Sequence, residues 1–130
     1  MKKLVFLICV CMVMAIPAGV ATGETGAELE TRCGWFDNPS PGNIWLHDKD
    51  GEWIIGEQGR YQIEEDWPWP VFKSTEWVKT NGNYGYGCVC INAKVDHKTH
   101  QVLQIKSAHS RPLAACRQES ALKKWEESIK

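Results

Sequence analysis

Apolar and polar residues alternate along this chain in three distinct ways. From Leu4 to Ile16 the apolar positions run unbroken for 13 residues behind Lys2 and Lys3. Pro17 ends that run, and Gly19-Val20-Ala21 supplies small residues before Thr22. A positive start, an apolar stretch and a small-residue site predict an export signal over residues 1–21. The stretch is short of the roughly 20 apolar residues a membrane span needs.

Beyond a polar lead-in at 22–31, the pattern shortens to period two. Ile44-Trp45-Leu46-His47-Asp48 and Glu52-Trp53-Ile54-Ile55 predict two strands around Lys49-Asp50-Gly51, a strong hairpin signal. Thr75–Thr80 and Tyr84–Val95 predict two more around Asn81-Gly82, and Gln101–Lys106 alternates as a last strand. A short strand is expected near Tyr61-Gln62-Ile63. Gly85 and Gly87 predict a bulge or bend. Asp37–Asn43 is dense in turn residues and reads as an ordered loop, while Trp67-Pro68-Trp69-Pro70 reads as a stiff, extended one. In the third regime Leu122, Trp125 and Ile129 recur at helical spacing, so the charged tail from Gln118 is expected to dock one face on the body. Ser110 is placed to cap a short helix carrying Pro112 and Cys116. Short strands with close turns and a late helix predict a mainly β fold. It is a small β-barrel or rolled antiparallel sheet, with an OB-like arrangement among the topologies admitted.

Composition refines this. Removing 1–21 leaves 109 residues, enough for one domain: a β body at 32–117 and a helical tail at 118–130. The whole chain has 15 Lys+Arg against 16 Asp+Glu, and without Lys2 and Lys3 the balance is 13 against 16. That gives no basic footprint for nucleic acid and no polybasic membrane anchor. The expected location is periplasmic or secreted, with the mature chain soluble.

Cys9 and Cys11 leave with the signal, and no lipobox precedes either. Cys33, Cys88, Cys90 and Cys116 remain, an even set in an oxidising compartment. Three pairings can be written. In a regular strand, Cys88 and Cys90 would have Cβ atoms about 7 Å apart, whereas a disulfide wants roughly 3.5–4.5 Å. The expected arrangement joins one of them to Cys33 and the other to Cys116, leaving the order open.

Several stretches together carry a resemblance. They are Arg32-Cys33-Gly34-Trp35-Phe36-Asp37-Asn38-Pro39, Asp50-Gly51-Glu52-Trp53, Asp66–Pro70, Asn81–Cys90 and Arg111–Arg117. Across residues 32–117 the chain resembles the domain of unknown function 4087 family. The resemblance implies a small exported protein of Gram-negative bacteria and brings no activity and no functional residues.

Candidate chemistry rests on aromatics. Six of the seven tryptophans, Trp35, Trp45, Trp53, Trp67, Trp69 and Trp77, fall within 43 residues. Trp45, Trp53 and Trp77, on strands, read as core. Trp67 and Trp69, on a proline-locked loop, read as a contact surface, because a rigid backbone loses little entropy on binding. Tyr84 and Tyr86 are candidate neighbours, although they share a strand face with Cys88 and Cys90, which favours burial. The acidic Glu64-Glu65-Asp66 can orient a polar or cationic ligand. His97 and His100 beside Asp96 have zinc-compatible spacing, with His47 and His109 distant; exposed turn histidines are commoner, so no metal or other cofactor is expected. No Gly-x-Ser-x-Gly elbow occurs, and the carboxylates Asp37, Asp48, Glu64 and Asp66 form no diagnostic pair, so no catalytic residue is assigned. The expected function is a non-enzymatic binding module for a glycan or protein partner, with a hydrolase inhibitor (of lysozyme, for example) as one version. A small Asp/Glu and His hydrolase and a structural accessory protein of the envelope are the alternatives.

Overall fold

The computed structural model describes Gly19, residues 27–64 and residues 66–130. The expected export signal apart from Gly19, with Cys9 and Cys11, residues 22–26 of the lead-in and Glu65, lies outside the described residues. In chain order the elements are β1 (Glu30–Ser40), β2 (Asn43–Asp48), β3 (Gly51–Gly56), β4 (Trp77–Asn81), β5 (Tyr84–Asp96), β6 (Gln101–Arg111), α1 (Leu113–Arg117) and α2 (Ser120–Ile129).

The sheet closes on itself. Hydrogen-bonded neighbours run β1-β2-β3-β6-β5, and β5 returns to pair with β1. The β3–β6 seam is parallel and narrow, made at Ile54 and Gln101 and supported by Ile54 N–H donating to His100 O at 2.7 Å. β4 continues the β5 edge at Tyr84–Gly87, beside β6, which pairs with Cys88–Asp96. Closure removes most of the free edges that make sheets prone to aggregation. The small-barrel expectation therefore holds.

Alternation along each strand sorts side chains into two cores. Inside the ring lie Phe36, Leu46, Ile55, Val89, Ile91 and Val102, all nearly solvent-free. Outside it, Trp35, Tyr86, Cys88, Cys116 and Leu122 fill the layer between β1, β5 and the two helices. As the tail's spacing predicts, α2 docks on this layer. Trp35 Nε1 donates to Leu122 O at 3.0 Å, and Trp125 Nε1 donates to Asp48 O at 3.0 Å. Tyr86 donates its hydroxyl to Glu126, which also holds Arg117 at 2.7 Å.

Both disulfides lie on this outer side. Cys33–Cys90 joins residues directly opposite in the β1–β5 ladder, and Cys88–Cys116 ties β5 to α1. One bridge thus reaches the first strand and the other the end of the body, as expected.

Several local expectations are corrected. Asp37–Ser40 is not loop but the end of β1, because pairing with both β2 and β5 supplies partners that outweigh its turn-prone residues. The turn shrinks to Pro41-Gly42, with Gly42 at φ +72°. Residues 61–63 form only a single bridge, Gly56 to Gln62. Ser74–Glu76 is one 3-10 turn ahead of β4. Ser110 belongs to β6, and α1 starts after Pro112 with no side-chain cap. A Cβ on Gly85 would collide with Val78 O, and one on Gly87 would lie 2.5 Å from the Phe72 ring. Both glycines permit close approach, and a register shift does fall beside Gly85, where Lys79 and Asn81 of β4 face Gly85 and Tyr84; others fall at Asn92/Ala93 and Lys94/Val95. Trp53 is core, Trp77 packs partly buried against it, and Trp45 faces outward, its Nε1 toward Glu57 at 3.4 Å.

Candidate functional site

The segment from Glu57 to Lys73 carries the chain from β3 across one end of the barrel to the 3-10 turn. It is anchored early, by Ile63 N–H donating to Ile55 O at 3.0 Å and by the Tyr61 hydroxyl donating to Val102 O at 2.7 Å. Asp66 then adopts φ +71°, a left-handed conformation that Asp tolerates better than most residues. Pro68 and Pro70 fix the next φ angles. Phe72 returns to the barrel mouth against Trp77, ring centroids 4.8 Å apart.

This geometry stacks the two loop indoles. Trp67 and Trp69 have centroids 4.3 Å apart and planes 25° apart, and both rest against Phe36 at 6.3 and 6.1 Å. Trp67 is the inner ring, packed on the barrel core. Trp69 is the outer one, 51% exposed, and Val71 beyond it is 84% exposed. Beside them a cleft of about 410 Å³ runs between Glu64, Asp66 and Trp67 on the loop and Lys94, Leu103 and Gln104 on β5 and β6. An indole surface next to two carboxylates, an ammonium and an amide can stack on an apolar ring face and hydrogen-bond its polar edge.

The two tyrosines do not join this surface. Tyr86 is 1% exposed beneath α2. Burial, and then the charge of Glu126, push its hydroxyl pKa up. Tyr84 is partly buried at the start of β5, on the Tyr86 side of the strand, whereas the loop indoles pack on Phe36, which faces Gly87. Strand alternation therefore separates the pairs. Tyr86 offers no surface to a ligand.

The histidines and the remaining carboxylates are spread over other parts of the fold. At the opposite end of the barrel Arg32 bonds Asp48 at 2.7 Å, Glu30 at 2.9 Å and Asp50 at 3.1 Å, with its guanidinium 3.8 Å over Trp53. Burial works against that charge, but the Asp48 and Asp50 bonds outweigh it and hold its pKa above the ordinary arginine value. His100 stacks on Trp53 at 4.5 Å, and His97 meets Glu30 at 2.8 Å. The Asp96 carboxylate is held low by the Lys98 and Thr99 N–H groups of its own turn. Among the described residues no three His, Cys, Asp or Glu side chains converge for a metal.

One grouping was hidden from the sequence. His47 on β2 lies 3.3 Å from Asp37 on β1 and 3.5 Å from Glu52 on β3, and its ring stacks on Trp125 of α2 at 4.7 Å. Only recognition of β1 as a strand would have aligned these three.

A family model described as protein of unknown function (DUF4087) matches residues 27–123, running past Arg117 into the first turn of α2. No curated protein and no solved structure matches the chain. Among the described residues no helix is long and apolar enough to cross a membrane.

Proposed function

We propose that this chain, which belongs to the DUF4087 family of proteins of unknown function, is a non-enzymatic binding module of the periplasm or the cell exterior. The observation that carries this reading is the Trp67–Trp69 stack, half exposed on a closed and doubly cross-linked barrel. Two disulfides in a domain this small are compatible with an exported protein. The contact surface is Trp69 with Val71 and the cleft containing Glu64, Asp66 and Lys94; Trp67 supports it from beneath. A flat indole near the Glu64 and Asp66 carboxylates suits a pyranose ring, whose C–H face stacks while its hydroxyls bond the carboxylates, so a glycan is favoured over a protein partner.

The test is a glycan array with the folded, oxidised protein, run beside a pull-down from envelope extract. Wild type should retain a glycan that Trp69→Ala loses with its circular dichroism unchanged. Retention by the variant equal to wild type would refute this surface. Capture of a hydrolase that is thereby inhibited would move the reading to the inhibitor version.

A further inference from the structure

A second groove lies on the outer face of the barrel, between β1–β3 and α2. It measures about 360 Å³ and is lined by Asp37, Trp45, His47, Glu52, Trp125 and Ser128. No Lys or Arg is among its lining residues. Its floor is His47, whose side chain is 4% exposed.

The hydrogen bonding of His47 is incomplete. Its Nε2 lies 3.3 Å from Asp37 Oδ2, a buried acceptor. A neutral imidazole has one N–H, and the Asp37 carboxylate takes it at Nε2. Nδ1 is then a lone-pair acceptor. It is buried without a hydrogen-bond partner, and it faces another acceptor, Glu52 Oε2, at 3.5 Å. Two acceptors in that position repel, and a buried polar atom left unbonded costs free energy. A single nitrogen donor can reach both, because each bond needs only roughly 2.9 Å. Glu52 is 47% exposed, so it is the member free to swing outward and admit one. Trp45 and Trp125 border the groove with aromatic surface, which favours positive charge.

We propose that this groove binds a cationic nitrogen donor, a primary ammonium or a guanidinium, held between His47 Nδ1 and Glu52. Asp37 sets the tautomer that makes Nδ1 an acceptor. The site is independent of the tryptophan loop and of the glycan reading. Its binding is linked to protons. When His47 protonates, both ring nitrogens carry N–H, one for Asp37 and one for Glu52, and the imidazolium then does for Glu52 what the ligand would do. The groups against His47 are Asp37 from β1, Glu52 from β3 and Trp125 from α2, with Ser128 also lining the groove and Lys124 Nζ 5.5 Å from the centroid of the Trp125 ring. Proton and ligand therefore compete for Nδ1, and acidification weakens binding.

The full oxidised chain would be titrated with butylammonium, methylguanidinium and glucosamine while the ¹⁵N signals of His47 are followed by NMR. Tetramethylammonium, a cation without N–H, and N-acetylglucosamine, which is neutral, are the controls. The donors are expected to shift Nδ1 saturably and the controls to leave it unmoved. Glu52→Gln should weaken binding about tenfold or more, while exposed Glu28→Gln should leave it as in wild type. The strongest of the three arms identifies the source, a lysine-like or arginine-like side chain or an amino sugar. Absence of a saturable shift, equal response to tetramethylammonium, or binding indifferent to pH or to Glu52→Gln would overturn the proposal.

Discussion

Removing the outer indole of the stack should separate binding from folding. Trp69 is about half covered, chiefly by Trp67 and the edge of Phe36. A buried indole covers roughly 200 Å², so about 100 Å² is at stake. At about 25 cal/mol per Å² that is ~2.5 kcal/mol, an upper figure because the unfolded chain already hides some surface. Trp69→Ala should therefore lower the unfolding free energy by about 1–2.5 kcal/mol, or the melting temperature by roughly 4–8 °C per kcal/mol. Trp67→Ala removes the ring packed on the core and leaves a hole; it should cost more, toward the ~3–5 kcal/mol of buried Trp→Ala changes. Affinity should show the reverse emphasis. Loss of an exposed aromatic anchor costs ~2 kcal/mol or more, about 30-fold in Kd. Urea denaturation followed by far-UV circular dichroism gives the first quantity, and titration with the glycan retained on the array gives the second. The reasoning fails if Trp69→Ala costs over about 4 kcal/mol, which would make the ring structural. It fails equally if affinity is untouched.

The remaining expectations concern the scaffold. Pairing Cys88→Ala with Cys116→Ala opens a loop of 28 residues and Cys33→Ala with Cys90→Ala one of 57; chain-entropy reasoning gives ~3.6 and ~4.2 kcal/mol, so urea midpoints should fall for both and slightly further for the second. Gly87→Ala places a methyl 2.5 Å from the Phe72 ring and 2.7 Å from the Glu76 carbonyl, and should cost ~1–3 kcal/mol by overpacking, read in the same melts. Glu126 is held below the ordinary glutamate range by its Arg117 bonds, which outweigh burial, with the Tyr86 hydroxyl adding to them. Its folded pKa is depressed, so its contribution is complete above the unfolded value of about 4.3 and is lost as pH falls through the folded one. Docking of α2, reported by Trp35 and Trp125 indole N–H signals, should weaken on acidification below that range, and Glu126→Gln should flatten the dependence.

Much of the framework is legible in the chain because its causes are local. Asp50-Gly51 and Asn81-Gly82 specify their turns, and in the first the Asp48 carboxylate accepts the Asp50 and Gly51 N–H groups at 2.8 and 3.2 Å. Period-two alternation marks β2, β3, β5 and β6. The helical spacing of Leu122, Trp125 and Ile129 marks the docking face of α2, and the distance between Cys88 and Cys90 along one strand sends each to a different partner. The family resemblance was equally visible, in residues close together along the chain.

What the chain by itself left undetermined depends on contacts between distant residues. Asp37-Asn38-Pro39-Ser40 has turn chemistry, and it is extended only because β2 and β5 flank it on both sides. Losing that strand from the reading also lost the alignment of Asp37, His47 and Glu52, three residues with nothing in their spacing to join them. Tyr86, on the strand face of Cys88 and Cys90, already leans toward burial in the sequence, and Trp69 toward exposure. Closure assigns one to the layer under α2 and leaves the other half in water, because a closed sheet has an inside and an outside that no single strand possesses.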